Sequence, residues 1–257
     1  MRFVNITFLG NIIVRIGKNI LKKPHTAEDR KDRMISIPRL EDLLDTNRSI
    51  AGGELSKLEY PSEALPIIGE IIARLLPSLS GFREISEGVF VSDSAKIWDN
   101  ATVVGPCIID EGAEIRPGAF IRGNAIIGKG AVIGNSTEIK NSIIFDKAQL
   151  PHYNYAGDSI IGYKAHMGAG AIASNLRLDK SEVVIKSAQG EFPTGLRKFG
   201  AILGDMAEIG CGCVLCPGTV IGRGTSVYPL CTVKGILPEY SICNGKTLKP
   251  IKNTQMG

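Results

Sequence analysis

The sequence predicts an all-β solenoid, a three-sided coil of short parallel strands with a small helical region ahead of it. Three observations predict it. An aliphatic residue recurs at every sixth position: Val91, Ile97, Val103, Ile109, Ile115, Ile121, Ile127, Ile133 and Ile139. A mostly small residue follows each by four: Ala95, Ala101, Cys107, Ala113, Ala119, Ala125, Ala131 and Thr137, then Ile143. The composition agrees, with 34 Ile and 30 Gly against 6% aromatic residues, as short strands between tight turns require.

A hexad makes one strand and one turn, so three hexads close a rung. The aliphatic residue fills the prism and the small one fits inside near a corner. Gly128-Lys129-Gly130 and Gly222-Arg223-Gly224 offer the permissive backbone that corners need. Ile97, Ile115 and Ile133 should form one interior column, with stability coming from rung stacking on rung. The phase returns as Leu203, Ile209, Leu215, Ile221, Val227 and Val233, and Ile161 with Ala165 and Met167 with Ala171 keep it in between. The solenoid is placed at 84–240, with loop insertions expected near 141–159 and 176–200, where the rhythm fails. Breaks in a regular scaffold are where sites sit.

Residues 1–83 read as a small, mostly helical region. Residues 61–76 form an amphipathic pattern with Pro61 at its start and Ala64, Ile68, Ile71 and Leu75 on one face. A short helix is expected over Arg39–Asp45 and a linker over Asn47–Lys57. The region should dock on the first rung and cover its open edge. Phe3, Ile6, Ile13, Ile16 and Ile20 share a helical face, read as packing on the body, with membrane-surface contact as the alternative. The tail, 241–257, carries Lys246, Lys249 and Lys252 and reads as solvated.

Net charge is +4, but the segment 1–23 holds five basic side chains and no acidic one. The rest of the chain carries 25 basic against 26 acidic side chains, net −1, which disfavours nucleic acid. No apolar run approaches the ~20 residues of a membrane span. Asn5, Asn11, Arg15 and Lys18 interrupt any signal-peptide core, so a cytoplasmic protein with free thiols is expected. Cys211, Cys213 and Cys216 fall on different sides of a strand, unsuited to a tetrahedral metal site.

His152, flanked by Tyr153 and Tyr155, lies in the first break. Arg116 and Lys140 follow inward residues and should face outward. Basic groups, a histidine and tyrosine hydroxyls facing a groove suit a phosphorylated sugar. Four elements then make the pattern specific: RPGA at Arg116–Ala119, GN..E.K at Gly134–Lys140, H..Y.GDS.IG at His152–Gly162 and GAG....N at Gly168–Asn175. They resemble the acetyltransferase half of bacterial bifunctional N-acetylglucosamine-1-phosphate uridylyltransferases and the related archaeal sugar-phosphate nucleotidyltransferases.

The resemblance implies a left-handed parallel β-helix of hexapeptide repeats, a homotrimer with sites between subunits, and acetyl transfer from acetyl-coenzyme A to the amine of glucosamine 1-phosphate on the route to UDP-N-acetylglucosamine. It implies no metal. His152 matches the catalytic base. Arg116, Lys140, Tyr155, Asn175 and Lys198 match sugar-phosphate contacts, with His166 where the family has Asn. Ala169 and Cys211 match coenzyme contacts, and Tyr228 stands where the family has a small residue near the coenzyme.

Two other readings stay open. One is acyl transfer to a nucleotide-linked sugar, the other a non-catalytic sugar-phosphate-binding trimer that supports a separate nucleotidyltransferase. A zinc-dependent carbonic anhydrase on the same coil needs three histidines, and His25 lies outside the solenoid. Residues 1–83 hold no basic Gly-rich phosphate loop, so no uridylyl transfer is expected from this chain alone.

Overall fold

The computed structural model describes residues 37–187 and 190–251. The amphipathic segment from Phe3 to Ile20, and Lys252, lie outside the described residues. The chain winds into a three-walled parallel β-solenoid, the coil the repeat predicts and the left-handed β-helix the resemblance implies. Ile97 pairs with Ile115 and Ile115 with Ile133, three hexads apart each time, as the repeat requires. The interior column continues through Leu150, Met167, Ile209, Val227 and Cys243, all buried. Gly128 and Gly130 serve the corner in different ways. A Cβ on Gly128 would lie 2.7 Å from the Asp146 nitrogen of the next rung, and Gly130 has φ +63°.

Wall 1 carries Val89–Ser92, Cys107–Ile109, Ala125–Ile127, Ala201–Leu203 and Thr219–Ile221. Wall 2 carries Glu114–Ile115, Val132–Asn135, Gln149–His152, His166–Met167 and Glu208–Ile209 among its strands. Wall 3 carries Thr102–Val104, Phe120–Arg122, Ile172–Ala173 and Val214–Leu215. Strands Glu138–Ile144 and Tyr155–Ile161 run from wall 3 into wall 1 without a break.

That continuity corrects one expectation. Residues 141–159 hold no inserted loop, because the rungs there shorten. Ile127 pairs with Ile144, and Ile144 with Ile161, each step one position short of three hexads. Asn141 and Asp158 take the tightened corner in left-handed backbone, φ +47° and +50°. The lost residue puts Ile144 in the interior, and Ile143 faces outward instead of filling the small inward position. The second break is an insertion. Ile161 pairs with Leu203, well beyond three hexads on, and the extra chain forms an antiparallel hairpin of Val184–Ser187 with Gly190–Pro193.

Wall 1 is apolar on both faces. Its outward residues Ile108, Ile126, Ile143, Ile160, Ile202 and Val220 are all buried. Leu43, Leu55, Leu65, Ile68, Ile71 and Ile72 of the N-terminal region cover them, joined by Val183 and Ile185 of the inserted hairpin and by Phe199. The helical region therefore lies along a wall rather than on the first rung. The open edge of that rung is covered by Phe82–Ser86, antiparallel to Val89–Ser92. Residues 61–78 begin as a 3-10 helix through Pro61–Ile67, with Pro66 inside it, and become α-helical over Ile68–Leu75. The expected linker holds a 3-10 turn at Thr46–Arg48 and a helix at Gly52–Leu55, with Ala51 and Leu55 fully buried. In the tail, Leu248–Pro250 pairs antiparallel with Ser241–Cys243 and closes the far end. No helix among the described residues is long and apolar enough to cross a membrane.

Candidate active site

His152 ends its strand at the corner between walls 2 and 3. Its carbonyl accepts from the Gly170 N–H at 3.0 Å, and the Ala169 carbonyl from the Gly212 N–H at 2.8 Å. His152, Ala169 and Cys211 thus follow one another down a single edge, all exposed. The imidazole of His152 has no side-chain partner among the described residues, and the backbone N–H groups of Ala169 and Cys211 donate to no protein acceptor there. An exposed imidazole beside free donors can move a proton and steady a carbonyl oxygen.

Buried Asn154 sets this edge. Its Oδ1 accepts from the His152 N–H at 3.1 Å, and its Nδ2 donates to the carbonyls of Gly168 at 2.8 Å and Ala171 at 3.3 Å. Its own N–H donates to Thr137 Oγ1 at 3.2 Å. Asn154 was not among the residues expected from sequence, although it occupies the inward small position four after Leu150.

Wall 3 and the corner that follows it gather four further residues. The Tyr155 hydroxyl accepts from Asn175 Nδ2 at 3.2 Å, and the same amide reaches Asp158 Oδ2 at 2.5 Å. Asp158, 6% exposed, also accepts from Asn141 Nδ2 at 2.9 Å. The ammonium groups of Lys140 and Lys198 meet here. Burial holds Lys140 below the ordinary lysine value; Asp158 opposes that shift, and Lys198 adds to it. Burial likewise raises Tyr155. Arg122, one rung before Lys140, is paired with Glu138 at 2.6 Å. Its position follows from the three-hexad spacing, and that spacing was the signal for it.

The remaining expected residues stand on wall 2. Arg116 Nε lies 3.1 Å from Glu114, and His166 Nδ1 lies 3.1 Å from Glu208. Tyr228 projects outward, 54% exposed. One chain therefore brings together His152, Ala169 and Cys211 on an edge, and Lys140, Tyr155, Asn175 and Lys198 beside wall 3. It does not gather Arg116, His166 and Tyr228 with them in one cavity. Among the described residues no group of His, Cys, Asp and Glu is placed to hold a metal ion. Cys213 is buried at its inward position and Cys211 is exposed, as the repeat register requires.

Residues 103–189 match the family described as the GMPPB C-terminal domain. Across 92% of the chain, a bifunctional protein GlmU from Methanococcus aeolicus is 37% identical. The chain is similar in sequence to the GlmU proteins. A bifunctional sugar-1-phosphate nucleotidylyltransferase/acetyltransferase of Sulfurisphaera tokodaii is 34% identical over 159 residues, 55% of this chain. The matches span 66% of the Methanococcus protein and 40% of the Sulfurisphaera protein, less than two thirds of either. Among solved structures, AntD, an N-acyltransferase from Bacillus cereus, is 17% identical with a TM-score of 0.28 over 67% of this chain and 92% of that one.

Proposed function

We propose that this chain transfers an acetyl group from acetyl-coenzyme A to the amine of an amino-sugar phosphate such as glucosamine 1-phosphate, in the supply of UDP-N-acetylglucosamine. The observation that carries it is the edge itself: an unpartnered imidazole beside two free backbone donors, with a lysine pair on the adjoining wall. In this reading the amine nitrogen attacks the thioester carbonyl as His152 takes its proton. The C–S bond breaks, and that proton passes to the departing sulfur. Histidine suits the task because its titration range spans neutral pH. The N–H groups of Ala169 and Cys211 face the acyl donor, and Lys140 and Lys198 hold the acceptor's phosphate. As written, the step draws on no metal ion.

The division of residues between walls bears on assembly. Among the described residues, wall 1 is sealed and walls 2 and 3 carry no covering layer. Arg116, His166 and Tyr228 join Lys140 and Tyr155 when wall 2 of one copy faces wall 3 of the next, a head-to-tail contact that three copies close into a ring. A homotrimer is therefore part of the proposal, as is a cytoplasmic setting, where the free cysteines stay reduced.

The test is thiol release from acetyl-coenzyme A with glucosamine 1-phosphate. His152→Ala should lower the rate by about 10²–10⁴-fold. Undiminished release by the variant would overturn His152 as the base. The same preparation is expected not to turn over UTP, since residues 1–83 hold no basic Gly-rich loop. Exposed Tyr228, where a coenzyme contact is expected, favours one second reading: a non-catalytic sugar-phosphate-binding trimer. Calorimetric binding of glucosamine 1-phosphate without thiol release by the wild type would support it.

A further inference from the structure

The opposite edge of wall 2, where it meets wall 1, carries an open groove of about 550 Å³ lined by Gly130, Lys147, Gln149, Lys164, His166 and Glu208. It shares only His166 with the acetyl-transfer site proposed above. Lys147 and Lys164 occupy the same corner position on successive rungs. Both are in left-handed backbone, φ +58° and +54°, and their N–H groups donate to the carbonyls of Lys129 and Asp146 on the preceding rungs. Neighbouring parallel strands lie ~4.8 Å apart, so the two stems leave the coil at a separation that two linked phosphates can bridge.

The charges around the groove leave these ammonium groups available. Lys129, one rung earlier, is tied to Glu111. The Asp146 carboxylate accepts from the Lys129 N–H at 2.9 Å. Glu208 is engaged by His166 Nδ1, and the other ring nitrogen has no partner among the described residues. Neither Lys147 nor Lys164 forms an ion pair with a carboxylate among the described residues. Lys164 Nζ lies 5.3 Å from the centroid of the Tyr163 ring, and Arg48, 4.9 Å from the same ring, is paired with Asp45 at 3.4 Å, so Lys147 and Lys164 carry the positive charge of this edge.

We propose that this groove binds a diphosphate, with Lys147 and Lys164 each facing one phosphate and Gln149 and His166 hydrogen-bonding the bridging chain. A nucleoside-diphosphate sugar and coenzyme A both carry that group. The inference does not depend on acetyl transfer, because binding is read without turnover.

The experiment is titration calorimetry of the full chain with inorganic pyrophosphate. Lys147→Asn/Lys164→Asn deletes both charges and suits the left-handed backbone, so the fold is kept. Lys180→Asn, at another left-handed lysine (φ +60°) in the loop before the inserted hairpin, is the control. The double variant should bind pyrophosphate at least about tenfold more weakly, while the control matches the wild type. Unchanged affinity in the double variant, or no binding by the wild type, overturns the site. Displacement of pyrophosphate by UDP assigns the groove to a nucleotide-linked sugar, and displacement by coenzyme A assigns it to the acyl donor. Displacement by neither overturns the diphosphate assignment.

Discussion

The histidine proposed as the base is only as well placed as the backbone beneath it, and here one buried amide fixes that backbone. Asn154 accepts from the His152 N–H and donates to two carbonyls on the next rung, so it locks His152 to the Gly168–Ala171 turn. Asn154→Ala takes the acceptor from the His152 N–H and removes one of two donors from each of the carbonyls of Gly168 and Ala171, which keep the N–H groups of Ala171 and Tyr155. The expected cost is about 1–3 kcal/mol in stability, read as a lower denaturant midpoint. Acetyl transfer should fall as well, because His152 and Ala169 lose their common anchor. Asp158 serves the other side of the site in the same way. Its two oxygens hold Asn141 and Asn175, and through Asn175 the Tyr155 hydroxyl. Both residues lie in or beside the elements that carried the sequence resemblance. Neither hydrogen-bond pattern follows from spacing, because each joins groups that only the coiled chain brings together.

At the scale of elements, wall 1 and its cover hold one another in place. Ile68 is fully buried between the helical region and the outward isoleucines of wall 1. Ile68→Ala should destabilise the fold by about 2–5 kcal/mol through lost contact and a residual cavity, measurable by chemical denaturation. The hexad phase, the interior columns and the register of the cysteines were legible in the sequence, because each is a property of period alone. The sealing of wall 1 was also written there, as doubled aliphatic residues about a rung apart: Ile108-Ile109, Ile126-Ile127, Ile143-Ile144 and Ile160-Ile161. A residue buried on the inside leaves its neighbour facing out, so an aliphatic neighbour signals a second apolar layer. The stretch 141–159 was misread for a physical reason. Dropping one residue per rung and inserting a loop both break a six-residue beat, and only strand pairing tells them apart. The stretch 47–57 was misread because its polar, Gly-rich composition hid two inward residues, Ala51 and Leu55.

For the molecule as a whole, one carboxylate links stability to pH. Burial, reinforced by Asp110, raises Asp146 to about 6, although the Lys129 N–H and the nearby cations pull the other way. The folded state therefore holds a proton that the unfolded chain releases near ~3.9. The stability contributed by this group is full below about pH 4 and is lost as pH rises through about 6. Asp146→Asn should stabilise the protein above that range by on the order of 1 kcal/mol, allowing for solvent screening, with the gain fading toward pH 4 in thermal melts. The proposed sharing of the site between copies belongs to this scale too, since no single coil can turn two of its walls toward each other. The closing strands add a last constraint. Phe82–Ser86 and Leu248–Pro250 both run against the direction of the coil they finish. On the wall that each covers, a copy arriving end-on meets a reversed strand in place of the next parallel rung, so strand addition stops there as a growing polymer stops at a cap.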